Sequence, residues 1–229
     1  KQLLMSETKA KEPQNQTQFD NYKKNPALMG PCTTHIWNHD SRHLGFLLSR
    51  YKFVAKMLEG KKKVIEIGVG DGFGVPVVAQ TVEQIHGIDW ESLLIDDNSK
   101  RLVDLPFTME CIDITKTQPS GVFDAAYSLD VIEHIPQERE HLYFENICKC
   151  LVDDGVFIMG TPNVTANQYA SEASKEGHIN LLSHNRMRDL MIKYFNNVFM
   201  FSMNDEIVHT GYGPMAHYLI GMGVGVIKK

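Results

Sequence analysis

No apolar run in this chain approaches the roughly 20 residues that a membrane-spanning helix needs. Positive charge is in deficit: 23 Lys and Arg face 28 Asp and Glu, for a net charge of −5. That balance argues against a broad nucleic-acid face. Cysteine is sparse and poorly placed for cross-linking. The four are Cys32, Cys111, Cys148 and Cys150, and no two C-x-x-C pairs occur, so structural zinc is not expected. Cys148 and Cys150 stand two apart on an expected helix and so do not share a face. A disulfide framework is not expected either, and a reducing cytoplasm fits the pattern. Residues 1–26 are polar, rich in Gln, Asn and Lys, and carry no clear secretory signal; Met5 reads as the natural start. Internal repeats are missing. The 229 residues, 43% hydrophobic and 22% charged, suit one α/β domain with additions.

The most informative stretch is Val64–Gly72, in which an apolar run ends in Glu66 and glycines follow at 68, 70, 72 and 74. A buried parallel strand running into a tight turn under a nucleoside has this form, because glycine lets the backbone turn through positive φ and touch a ligand. A second short strand closes on Asp89-Trp90. Strand, glycine turn, helix, strand and acid together form a nucleoside site, with the carboxylate on the ribose hydroxyls. The dinucleotide fingerprint fails, since Phe73 occupies its third glycine position, and no phosphate loop of the G-x-x-x-x-G-K type is present.

Alternation and breakers place strands near 63–67, 84–89, 107–113, 123–128 and 155–161, then two more at 197–203 and 217–227. Helices are expected near 40–59, 74–82, 92–101, 137–151 and 184–195. Pro31 and the threonines after it argue against a continuous helix from residue 35. Residues 1–38 are read as an N-terminal tail and cap segment and residues 39–229 as the main domain. The segment 163–180 is longer than ordinary connections, which marks it as a binding loop or lid.

The run Glu66-x-Gly-x-Gly-x-Gly72 resembles the first motif of the class I S-adenosylmethionine (SAM) methyltransferases, with Asp89 in the place of their ribose-binding acid. Phe107–Ile114 resembles the third strand, whose closing acid and apolar neighbour flank adenine. Phe123–Pro136, with its D-V-I-E-H-I-P wording, resembles the fourth strand and loop of the branch acting on small molecules and glycans. Leu151–Pro162 resembles the fifth strand, with Asp154 in place of a glycine. The resemblance implies a Rossmann-like, mostly parallel sheet of seven strands in the order 3-2-1-4-5-7-6, with helices on both faces and an N-terminal helical cap.

It also implies roles. Glu66, Gly68, Gly70 and Gly72 would bind the cofactor, the glycines meeting the methionine part of SAM, and Asp89 would hold the ribose. Trp90 would cover adenine, Asp113 and Ile114 would bind its edge and face, and Leu129 would line the sulfonium region. S-adenosylhomocysteine (SAH) would be the product. Asp130, His134 and His178 are the candidate catalytic residues. Each histidine has a local structural reading beside the role of base, since imidazole titrates near neutrality. Trp37, Tyr51 and His217 are candidate substrate contacts, with core packing the alternative for Tyr51. His35, His39 and His43 recur every four residues, and Asp130, Glu133 and His134 cluster, yet spacing alone defines no metal geometry and no metal is expected. Arg50 and Lys52 read as a solvated helix face.

The expected activity is SAM-dependent methyl transfer to a small molecule, with a hydroxyl of a sugar, glycan precursor or metabolite favoured. N-methylation of a small amine and a non-catalytic SAM-binding module are the alternatives. A nucleic-acid substrate is not expected, because the fourth-strand loop lacks an N-P-P-Y or D-P-P-Y signature.

Overall fold

The computed structural model describes residues 9–228; Met5 lies outside them. Three helices come first: α1 (Pro13–Lys24), α2 (Pro31–Asp40) and α3 (His43–Met57). The alternating part follows as β1 (Lys63–Ile67), α4 (Val75–Val78), β2 (Gln84–Asp89), α5 (Ser92–Arg101), β3 (Phe107–Cys111), β4 (Phe123–Leu129), α6 (Glu140–Lys149) and β5 (Leu151–Pro162). Beyond it lie α7 (Glu172–Gly177), α8 (His184–Met191), β6 (Phe195–Asn204), β7 (Ile207–His209) and β8 (Tyr218–Val226).

One sheet contains all eight strands, in the order β3-β2-β1-β4-β5-β8-β6-β7. The first five pair in parallel, and β8 turns antiparallel against both β5 and β6. The expected seven-strand order is therefore present, with one strand added. Asp205, at φ 50, turns the chain so that Asn204 pairs with Ile207 and a short edge strand forms. Three residues are too few to give a periodic signal, so β7 was not visible in the sequence.

The strands are apolar on both faces because helices cover both. Ile65, Ile67, Ile88 and Phe157 belong to one buried cluster. Val64, Ile85, Tyr127 and Ile158 belong to the other. Alternate side chains of one strand thus enter opposite layers, as the two-residue period of a strand requires.

Two expectations about the first third need correction. The segment before residue 26 contains α1, a polar helix with no buried residue. The helix expected at 40–59 is α3, and an additional helix, α2, precedes it across a break at Ser41-Arg42. Pro31 starts α2 instead of preventing it, because a proline at the first helical position sacrifices no intrahelical bond. His35 and His39 consequently share one helix face, their ring centroids 4.1 Å apart. The helix is pinned to the glycine turn by Thr33, whose backbone N–H and hydroxyl both donate to the buried Asp71 carboxylate, at 2.7 and 3.0 Å.

Candidate active site

The glycine turn after β1 meets the carboxyl ends of β2 and β4 around a cavity of about 610 Å³. Gly68, Gly70, Asp89, Trp90, Asp113, Ile114, Asp130 and His134 all line it, together with Ile112, Thr115, Val131 and Arg139 among others. Parallel α/β sheets open their binding crevice at this edge, where the strand order reverses. Here the reversal falls between β1 and β4.

The glycines have separate jobs. Gly68 sits at φ 72, and a Cβ there would stand 2.3 Å from Val131 Cγ2, so only glycine lets the turn approach the β4 loop. Gly72, at φ 67, is a packing glycine; its Cβ would strike Leu102, 2.5 Å away. It is absent from the cavity lining. Helix α5 braces the turn from behind, with Asn98 Nδ2 donating to the Gly70 carbonyl at 2.7 Å.

Asp89 closes β2 and is 8% exposed. Its Oδ2 accepts from the Gly70 N–H and its Oδ1 from the Glu91 N–H, both at 2.9 Å. A carboxylate has about four acceptor positions, so each oxygen keeps capacity for a ligand hydroxyl. Trp90 beside it is 77% exposed at the cavity wall. Asp113 is more committed. Its Oδ1 accepts from the Thr115 N–H and hydroxyl, and its Oδ2 pairs with Lys116 at 2.9 Å. Burial pushes its pKa up, but these partners outweigh it and hold the carboxyl below its ordinary value. Leu129 is buried and ends β4 without lining the cavity.

Asp130 departs from ordinary backbone geometry. It has φ 58 without being glycine, a conformation that persists where surrounding structure enforces it and that clusters at functional sites. The enforcing contact is Arg50, whose Nη1 donates to Asp130 Oδ2 at 2.7 Å. The guanidinium also lies 3.7 Å over the Tyr218 ring. Arg50 is 8% exposed, so the solvated-face reading is overturned: α3 turns this residue inward, against the cavity-lining Asp130. An arginine among leucines at helix spacing carries no sequence signal of that kind. Arg139, which lines the cavity, was missed because it stands in the polar run 137–140, which reads as solvated surface.

Glu66 lies beneath the glycine turn rather than in the cavity. Tyr51 donates to its Oε1 at 3.2 Å and Tyr127 to its Oε2 at 2.7 Å. Burial dominates over these bonds and raises its pKa from 4.5 to about 8. The folded chain therefore keeps this proton while the unfolded chain releases it near pH 4.5, so stability falls as pH rises between those values. We expect Glu66→Gln, which cannot ionise, to gain stability relative to the parent across pH 5 to 8. The relative gain should be about 3 kcal/mol or less, read from denaturant melts at both ends. A pH-independent difference would refute the buried proton.

Tyr51 is thus occupied by Glu66 and packs edge-on against Tyr127, with ring centroids 6.4 Å apart. Trp37 projects from α2 and is 55% exposed; the inward contact of that helix is made by Thr33. His217 is exposed beside Tyr169 at the end of β5, with ring centroids 6.4 Å apart. None of the three lines the cavity.

The two candidate histidines do meet. Their ring centroids are 5.1 Å apart, edge to face, although 43 residues separate His134 from Gly177, whose carbonyl accepts from His134 Nδ1 at 2.9 Å. Buried Asn180 fastens the second histidine's segment to the β4 loop, donating to the Ile135 carbonyl at 3.0 Å and to Glu140 at 2.7 Å. Burial and the neighbouring His134 lower the His178 pKa, which favours its neutral form. Glu133, next to His134 in the chain, is fully buried. Its Oε2 accepts from Thr161 at 3.0 Å.

Residues 65–159 match the family model described as a methyltransferase domain. By sequence, no curated protein matches the chain. Among solved structures, the N-methyltransferase NodS from Bradyrhizobium japonicum, in complex with SAH, is similar at 14% identity and a TM-score of 0.59. That likeness covers 82% of this chain and 91% of NodS. The methyltransferase domain of bacterial CtHen1 gives 20% identity and a TM-score of 0.63 over 78% of this chain and 99% of its own. A TehB-like SAM-dependent methyltransferase from Corynebacterium glutamicum gives 15% and 0.62 over 87% and 100%. At these identities the likeness establishes the fold.

Proposed function

We infer that this chain, a SAM-dependent methyltransferase, carries its methyl group to a hydroxyl of a small molecule. The observation that carries the reading is the cavity itself. Its floor is the glycine turn, one wall is Asp89 and the opposite rim is Asp130 with His134. Asp89 accepts from the ribose hydroxyls, and Trp90 and Ile114 sandwich the adenine. Asp113, already held by Thr115 and Lys116, supplies the polar edge near the base. Gly68 and Gly70 leave room for the methionine arm, while Glu66 and Gly72 shape the turn from below.

The reaction is a displacement at carbon. A lone pair on the acceptor oxygen forms the O–C bond, the C–S bond breaks, and its electrons return to sulfur as a neutral thioether. Charge disperses as this proceeds, so the enzyme's main contribution is alignment of acceptor, methyl and sulfur. The hydroxyl proton must also leave, and His134, which lines the cavity with His178 packed against it, supports this reading. Asp130, fixed by Arg50, orients the acceptor there. Trp37, Tyr51 and His217 lie in the surrounding elements, and of these only Trp37 and His217 have the exposure to reach a substrate beyond the cavity rim.

N-methylation of a small amine is the second reading, favoured by the likeness to NodS, which is itself an N-methyltransferase. Calorimetry should show SAM and SAH binding and no binding of NAD. A screen of sugars, polyols and amines, read by SAH formation, should then find turnover with hydroxyl acceptors. Turnover with amines alone would replace the O-methyl reading, and binding without turnover on any acceptor would favour a SAM-binding module.

A further inference from the structure

We propose that Glu133, His134 and His178 form a divalent-metal site at the acceptor end of the cavity, and that the bound ion receives the oxygen of the methyl acceptor. Each residue can offer one ligand atom such that all three atoms lie within 4.8 Å of one another, a grouping found among the described residues only here. Ligands of a tetrahedral zinc ion with ~2.1 Å bonds stand roughly 3.4 Å apart. A small inward movement of side chains therefore completes the set.

Three further features point to a ligand. Glu133 is fully buried, and its Oε1 has no hydrogen-bond partner, whereas Oε2 is held by Thr161. A buried, unpaired carboxylate oxygen is costly unless a cation or donor reaches it. His134 donates from Nδ1 to the Gly177 carbonyl, which can only accept. The lone pair of the neutral ring is then on Nε2. Metal-bound histidines are held in this way, with the far ring nitrogen donating to a backbone carbonyl. The same bond comes from the segment that carries His178, so one contact orients both imidazoles. Third, His134 lines the cavity together with Asp130, so an ion here would stand at the cavity rim, with positions left open for exogenous oxygen.

Two imidazoles and one carboxylate favour Zn²⁺, Mn²⁺, Fe²⁺ or Co²⁺ over an all-oxygen ion such as Ca²⁺. The step is balanced as follows. The acceptor hydroxyl binds the ion and loses its proton to bulk water. The metal-bound oxygen donates a lone pair to the methyl carbon, and the C–S pair returns to sulfur. Lewis-acid activation of this kind lowers the pKa of a bound O–H into the neutral range. An amine would gain little from it, so the inference rests on the hydroxyl reading and sharpens it.

The test uses the full chain stripped with chelator and titrated separately with Zn²⁺, Mn²⁺ and Co²⁺. Calorimetry follows binding, and the visible spectrum of Co²⁺ reports nitrogen ligation. One ion per chain should bind, at least 10-fold more weakly in His134→Ala and in His178→Ala. Both histidines lie outside the core, so both variants should fold; circular dichroism and SAM binding by calorimetry check this. The exposed His35–His39 pair is a possible accidental site, so His35→Ala/His39→Ala should leave the affinity unchanged. Failure of all three ions to bind, or loss of binding only in the His35/His39 double variant, overturns the proposal. Ion binding that depends on His134 and His178 in a chain that ignores SAM would keep the metal site and defeat the methyltransferase reading instead.

Discussion

Asp89→Ala should weaken SAM binding by about 100-fold or more while the protein remains folded. Hydrogen bonds to an ionised group are worth about 1.5–3 kcal/mol each, and two ribose hydroxyls would lose their acceptor together. The side chain also holds the Gly70 and Glu91 N–H groups. Its removal therefore loosens the turn that carries the cavity floor, and the loss should exceed the ribose bonds alone. Asp89→Asn separates the two parts. Its one remaining acceptor oxygen can keep one backbone bond, so its Kd should fall between parent and alanine variant. Calorimetry with SAM and with SAH gives both values. Because SAH lacks the sulfonium charge, a ribose role predicts equal losses for the two ligands. A loss confined to SAM would move Asp89 to the sulfonium and refute the ribose assignment.

Arg50→Met should cost stability and turnover together. Removing one partner of a buried ion pair leaves the other charge uncompensated, a loss of about 3–5 kcal/mol when both are fully buried. The Asp130 side chain is 31% exposed, and water will screen it, so we expect ~2–3 kcal/mol. In a chain of this size that is a fall in Tm of roughly 4–12 °C. The arginine also lies over Tyr218, and methionine keeps part of that packing. Asp130→Gly is the informative companion. It relieves the left-handed backbone at φ 58 but strands the more deeply buried guanidinium, whose side chain is 10% exposed, so its stability loss should be at least as large. SAM affinity should change little in either variant, while the acceptor KM rises, because Arg50 fixes the residue that faces the acceptor. Unchanged turnover in both would reduce the pair to a structural clamp.

The half of the cavity built on the glycine turn was legible in the chain because its determinants are local. A glycine that must adopt positive φ leaves only glycine as a choice, and an acid that must cap a buried strand stands at that strand's end. Gly68, Gly70 and Asp89 could therefore be named from spacing and residue type, and the strand order followed from the alternation of strands and helices. The acceptor half was legible only in fragments. His134 and His178 could be listed as candidates, but nothing in their spacing said that they touch; that contact depends on Gly177 and Asn180 folding back over the β4 loop. Arg50 looked like an exposed helix residue until α3 was packed against Asp130 and Tyr218.

The difference is physical. Backbone conformation and strand periodicity are imposed within a few residues, so the sequence alone determined the sheet, the glycine turn and the acid that closes β2. Burial of charge and convergence of ligand atoms are properties of packed surfaces contributed by distant segments. Tertiary structure alone decided that Glu133, His134 and His178 would converge, and that Arg50 would turn from water to a carboxylate.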